Sequence, residues 1–506
     1  MPSVFVVDIP RNTWVDLYTS TGIAVGTRLI VENIGSADIR LATQATEPSK
    51  YNEIFNVLQR ENGVRLSNTE GDSGAWGFAY SDSKLLVMTE DVDSGFSPAT
   101  KTTSTTVATT ATTADNLDAS GRLRVSDSLT LFDSKQIHDN QPLYWDDQQV
   151  SGAGTTSVHS SARASSTMGV SATTAGKRVR RTFQRFNYQP GKSTLILMTG
   201  VMQATGGGSG ITTAIGYFDD ANGVFVTTID GTPSMCVRSS VTGSPVDNAV
   251  AQSAWNGDKL DGTGASGITL DLTKSQIWWA DLEWLGVGTV RTGFVIDGAF
   301  VLCHTFNHAN SIAGVYMSTP NLPCCYEIEN DGTGGASTLE HICSTVITEG
   351  GQQAQGQLHY ATTDDAAVAV ASGNTVGLIG VRLKSAYFDQ QVDLTTASII
   401  NTNKNEFEWR LYFNPTVAGT FTFADHPNSS VQLAIGTSAN TITGGIIIGG
   451  GVNAGATQGS TAEAELKNAL RLGSTIAGVS DVIVLAVKAY NTGETFDASL
   501  GWRELS

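Results

Sequence analysis

Residues 278 to 308 read WWADLEWLGVGTVRTGFVIDGAFVLCHTFNH, and this stretch decides the fold. From Ile277 to Trp284 the side chains alternate, so Trp278, Ala280, Leu282 and Trp284 share one face while Trp279, Asp281 and Glu283 share the other. That is the two-residue period of a β-strand. Asp297-Gly298 tolerates the positive φ that a type I′ turn requires, so RTGFVI and AFVLCHTF are expected to fold back on each other as a hairpin. The stretch reads as a meander of three antiparallel strands.

The pattern extends outward. Runs such as RVRRTFQRFNY, STLILMTGVM, GVFVTTI and VGLIGVRL are divided by Asp-Gly, Asn-Gly and Pro-Gly turns, with no helices alternating between them. Residues 116–395 are therefore expected to form a large antiparallel sandwich of jelly-roll type. Residues 1–96 carry shorter strand-like runs and predict a small β-domain, with one short helix over SKYNEIFNVLQR, Ser49 to Arg60. SPATKTTSTTVATTATTA, within 97–115, is too poor in large apolar residues to build a core and reads as a linker. Residues 396–506 are again β-rich but include AEAELKNALRL, with Ser460 and Glu463 as a capping box and Gly473 at the C-cap, which predicts an α+β cap domain. The fold class is all-β, mainly antiparallel sandwiches, with one short helix in each terminal domain.

Composition excludes several functions. A formal charge of −18, with no basic helix or zinc-finger spacing to offset it, argues against nucleic acid as a partner. Charged residues are only 15% of the chain, too few for long salt-bridged helices. Cys236, Cys303, Cys324, Cys325 and Cys343 are odd in number and lack a CxxC pair, so they read as reduced thiols and not as a disulfide framework or a zinc site. No run of eighteen apolar residues occurs and MPSVFVVDIPRNTW lacks a secretory pattern; membrane insertion and export by the general secretory route are not expected. The glycine-rich segments lack the GxxxxGK[ST] pattern and no GxSxG elbow is present, so neither phosphate binding nor acyl transfer is indicated, and no cofactor is expected.

Four sets of residues could carry chemistry. Asp281 and Glu283, two carboxylates on one strand face about 6–7 Å apart at the backbone, have the residue types of a glycosidase acid and nucleophile. The alternative is a pair of surface or interface carboxylates. His304 and His308 would share a face for metal binding only if the segment were helical; on a strand they splay apart, and no metal is expected. Arg178 and Arg180 should lie on one strand face and Arg181 and Arg185 on the other, as an anion site or, in the favoured reading, as partners of carboxylates on neighbouring strands or subunits. Trp145, Trp255 and Trp279 are candidates for a glycan-stacking platform, with burial in the core as the competing reading.

Several segments together carry a family likeness: GAWGFAYSDSKLLV before the linker, DNLDASGRLRVSDSLTLFDSKQ after it, then FNYQPGKS, ADLEWLGVG, FVIDG, CHTFNHAN and the closing ETFDASLGWRELS. The chain resembles virion structural proteins of tailed bacteriophages, of the tail-fibre and tail-associated type, with a concanavalin-like jelly-roll body. GAWGFAY is similar to the Gly-Leu-Trp-Ala-like strand of small phage adaptor domains, with Ala75 in the leucine position and Gly77 in place of the alanine. The resemblance implies a non-enzymatic homotrimer assembled in the bacterial cytoplasm and located in the virion. Residues 1–96 would attach it to tail, baseplate or capsid proteins, and the later domains would contact a host-surface glycan or protein. The alternatives are a tailspike glycan depolymerase using Asp281 and Glu283, and a head fibre or capsid decoration protein.

Overall fold

The computed structural model describes residues 4–48, 56–58, 65–67, 71–89, 127–363, 366–454, 459–461 and 471–505. The chain divides into two compact units, residues 1–124 and 125–506. Among the described residues strands dominate both, and every strand pairing is antiparallel apart from one isolated bridge, Arg11 with Ala79.

Among the described residues, the first unit is two four-stranded sheets. One has the order Val4–Ile9, Ser83–Thr89, Leu29–Asn33, Arg65–Ser67; the other has Trp14–Asp16, Trp76–Ala79, Ile39–Ala42, Asn56–Leu58. Val7, Ile9, Leu29, Val31, Ile39, Leu85 and Val87 fill the space between them. The helix of this unit is not over 49–60: residues Asn56–Leu58 are a strand paired with Ile39–Leu41, and the rest of that segment lies outside the described residues. Among the described residues the helix is Leu17–Thr21, which begins within TWVDLYT, residues 13–19, a stretch whose alternation also suits a strand. Its cause is local. The Asp16 carboxylate accepts from the Tyr18 and Thr19 amides, and Gly22 closes the turn at φ 69°. The Thr/Ser-rich linker of 97–115 falls outside the described residues.

The second unit holds two sandwiches. In the first, a seven-stranded sheet has the order Trp145–Gly152, Gly176–Thr182, Cys324–Asn330, Ile211–Phe218, Gly223–Ile229, Thr232–Ser239, Val246–Ala251. It faces a sheet ordered Thr155–Ser160, Ser165–Val170, Ser337–Thr348, Thr194–Thr205, Gln276–Leu282, Val290–Ile296, Ala299–Phe306, with Leu129–Lys135 also on Ser337–Thr348. The meander forms with the turn as expected: Ile296 pairs with Ala299, and Asp297 and Gly298 have φ of 51° and 77°. Trp278, Ala280 and Leu282 enter the core with Met198, Phe294 and Tyr326. The alternation stops at Leu282, because the Glu283 amide already bonds Thr289 O across a loop, and Trp284 is only partly buried.

The second sandwich begins earlier than the sequence pattern indicates. Gln357–Thr362, Val368–Val370 and Gln391–Asn401 pair with Glu494–Leu505, and Thr375–Leu383 pairs with Val482–Ala489, so the boundary expected near 395 lies before 357. Phe407, Leu411, Val487, Phe496 and Trp502 are among its core. The expected capping residue Ser460 sits in a strand, opposite Ser398, and Gly473 is not left-handed. Residues 462–470, most of the expected helix, lie outside the described residues. A loop over 473–481 joins the two sandwiches: the Ser474 amide bonds Phe183 O at 3.0 Å and the Ile476 amide bonds Asp146 Oδ2 at 2.6 Å.

Candidate functional site

The outer face of the seven-stranded sheet gathers a row of charges beside a buried apolar patch of Val179, Ala214, Phe218, Phe225, Cys236 and Cys325. Along Cys324–Asn330, Cys324, Tyr326 and Ile328 point into the core, so Cys325, Glu327 and Glu329 point out. The pairing sets Lys177 opposite Glu329 and Val179 opposite Glu327 on one side, with Ala214 opposite Glu327 on the other. Lys177 Nζ lies 2.5 Å from Glu327 Oε1 and 3.7 Å from Glu329 Oε2, bridging the two carboxylates. Ala214, Gly216, Thr227 and Ser234 line the adjoining floor. A Cβ at Gly216 would meet Phe225 Cβ at 2.4 Å, so glycine is what lets these strands pass. At the far side, Arg238 holds Asp247 through two bonds of 2.7 and 2.9 Å and lies over the Phe225 ring, 5.0 Å from its centroid.

Burial and charge oppose each other here. Burial raises the Glu327 carboxyl above the usual carboxylate range while Lys177 pulls it down. Burial works against the Lys177 ammonium, but Glu327 and Glu329 outweigh it and hold it above its ordinary value. The Glu327 side chain is 8% exposed and Glu329 43%, so one carboxylate is anchored and its neighbour faces solvent.

The residues singled out from sequence occupy other places. Asp281 lies on the outer face of the opposite sheet and is ion-paired with Arg291, which pairs directly across the strands. Burial raises its carboxyl, Arg291 opposes, and Oδ1 has no hydrogen-bond partner. Glu283 sits past the strand end and is exposed, so the two do not form a pair on one strand face. His304 accepts from the Asn256 amide through Nδ1, and burial lowers its pKa; His308 stacks on Tyr316 at 4.0 Å with Nδ1 on Gly288 O. They have separate partners, and among the described residues no group of three His, Cys, Asp or Glu side chains is arranged to hold a metal.

The four arginines are committed within the chain. Arg180 is fully buried and bonds Asp147 Oδ2 at 3.0 Å, His341 Nδ1 at 3.0 Å, Gln136 Oε1 at 2.9 Å and Asn140 O. His341, buried beside this guanidinium, is held well below its ordinary pKa and so accepts as a neutral ring. Arg178 also pairs with Asp147, Arg181 with Asp220, and Arg185 with Asp219. Trp145 and Trp255 are each 2% exposed, in the core. Trp279 is 6% exposed and covered edge-on by Phe300, so none of the three offers an open stacking face.

Sequence reading passed over Glu327 and Glu329, although CCYEIEN alternates as clearly as WWADLEW. The missing information was which sheet and which neighbour each pair would meet; Lys177 lies 150 residues away.

No family model matches the chain, and no curated protein matches it. Among solved structures it is similar to an endo-1,3-β-glucanase from Streptomyces sioyaensis, at 10% identity over 45% of this chain and 98% of that one, with a TM-score of 0.30. It is also similar to the CBM2 module of an evolved Dit protein of Lactobacillus casei BL23 phage J-1 (7% identity, 45% and 97% coverage, TM-score 0.27). A third is arcelin-5, a lectin-like defense protein of Phaseolus vulgaris (9%, 44% and 99%, TM-score 0.26).

Proposed function

We propose that the chain is a structural protein that binds a glycan without cleaving it, through the outer face of the seven-stranded sheet. The observation that carries this reading is the Lys177 bridge between Glu327 and Glu329 beside a floor of Ala214, Gly216, Thr227 and Ser234. Such a row offers the solvent-facing Glu329 carboxylate as acceptor and the Lys177 ammonium as donor to the hydroxyls of a sugar, and charge-assisted bonds are the strong ones. An acid catalyst must present its proton to the leaving oxygen, whereas Glu327 is buried and engaged by Lys177.

From the sequence resemblance we further propose that the setting is a tailed-phage virion, as a tail-fibre or tail-periphery homotrimer attached through residues 1–96 and meeting a host-surface glycan. Light scattering coupled to size exclusion, followed by binding to a panel of bacterial surface polysaccharides, tests both parts. A trimer that retains an intact polysaccharide agrees with the proposal; a monomer contradicts the assembly, and absence of binding contradicts the function.

A second reading, glycan hydrolysis, is favoured by one feature: two carboxylates, Glu327 and the more exposed Glu329, stand on one strand face. It predicts polysaccharide shortening that Glu327→Gln and Glu329→Gln each abolish.

A further inference from the structure

The second sandwich contains a cavity of about 450 Å³, within the size range of small-molecule sites. It is lined by Gln357, Lys384, Tyr387, Gln390, the segment Asn428–Ser430, and Glu504. These come from four separate parts of the chain, brought together where Gln357–Thr362 and Gln391–Asn401 flank Glu494–Leu505.

Its polar groups fall into two classes. Glu504 is fixed: Oε1 accepts from Ser429 Oγ and from Trp502 Nε1 at 2.9 Å, and Oε2 accepts from the Ser430 amide at 2.8 Å. Trp502 is fully buried with His359 stacked on it at 5.7 Å, so the carboxylate has a rigid backing. Most of the others have hydrogen-bonding capacity to spare. Ser430 is 4% exposed, with its hydroxyl at the cavity wall beside the Glu504 carboxylate. Among the described residues, the side-chain amides of Gln357, Gln390 and Asn428 engage no protein group. Lys384 Nζ gives one bond, 3.1 Å to His426 O, leaving two N–H groups. Tyr387 offers a half-exposed ring at the edge.

We propose that this cavity is a second ligand site that takes one neutral, hydroxyl-rich unit of hexose size. Carboxamides, a hydroxyl, one ammonium and one anchored carboxylate can donate to and accept from adjacent hydroxyls. Opposite charges at one site suit hydroxyls, which both donate and accept, better than a purely anionic or cationic ligand. The site is distinct from the sheet face of the first sandwich and does not depend on it.

The test is saturation-transfer difference NMR on the full chain with methyl α-glucoside, methyl β-galactoside, methyl α-mannoside and N-acetylglucosamine, each to about 20 mM, a range that captures the weak affinity of a single sugar. At least one should bind saturably. Tyr387→Ala and Lys384→Met, both at solvent-accessible positions, should each weaken that binding about tenfold, the effect of losing a contact or a charged hydrogen bond, with unfolding midpoints unchanged. Lys177→Met should leave it intact. Absence of saturable binding by all four sugars overturns the inference, as does binding that survives both cavity variants. Loss in Lys177→Met with the cavity variants unaffected would assign the sugar to the sheet face, overturning this site while leaving the proposed function standing.

Discussion

Asp481→Asn should stabilise the protein at neutral pH. Asp481 is 2% exposed at the joint between the two sandwiches, where Oδ1 accepts from Asn414 Nδ2 at 2.7 Å and Oδ2 has no partner. Burial, with Asp146 nearby, pushes its carboxyl up to about 6 from an ordinary 3.8. An acid whose folded-state pKa is raised favours the fold when protonated, so its contribution is best below about 3.8, is lost as pH rises toward 6, and stays lost above. At 1.36 kcal/mol per pH unit, that gap is about 3 kcal/mol. Asparagine keeps the acceptor for Asn414 and removes the charge. Urea unfolding followed by the fluorescence of Trp409 and Trp502, both buried in the same sandwich, should give the variant an advantage of up to about 3 kcal/mol at pH 7.5 that falls to about 0.5 kcal/mol at pH 4. A difference between the two proteins that is the same at both pH values would refute the reasoning.

Arg180→Met should destabilise by about 3–5 kcal/mol in the same assay, because it strips one partner from the partly buried Asp147 and from the buried His341 and Gln136. Asp281→Asn should change stability by no more than about 1 kcal/mol and leave glycan binding untouched, since its partner Arg291 is 57% exposed and the pair lies on the opposite sheet. Burial holds the thiols of Cys236, Cys303, Cys324 and Cys325 above their ordinary range, so titration of the native protein with a disulfide reagent at pH 8 should find at most the half-buried Cys343, and all five thiols only after denaturation.

The fold was legible wherever a two-residue period met a turn of defined chemistry. Trp278, Ala280 and Leu282 inward, and Asp297-Gly298 at positive φ, follow from side-chain alternation and backbone sterics within a few residues. Boundaries were less legible, since they depend on partners distant in sequence. Gln391–Asn401 looks like a continuation of the first sandwich until Glu494–Leu505, a hundred residues on, is seen beside it. The short helix after Asp16 was hidden because TWVDLYT also suits a strand, and a single carboxylate cap decided otherwise. At the candidate site, the sequence offers Asp281-Leu282-Glu283 and Glu327-Ile328-Glu329 on equal terms. Only the strand order gives the second pair Lys177 and gives Asp281 its ion pair with Arg291.

The most direct test of the central claim compares wild type, Lys177→Met and Glu329→Gln for polysaccharide binding by calorimetry, with the chain length of the recovered polysaccharide measured in parallel. The account predicts that wild type binds and returns the glycan at its original length, and that each variant weakens binding about tenfold, as expected for loss of a charge-assisted contact. Binding unchanged in both variants, or a glycan shortened by wild type and spared by Glu329→Gln, would contradict it.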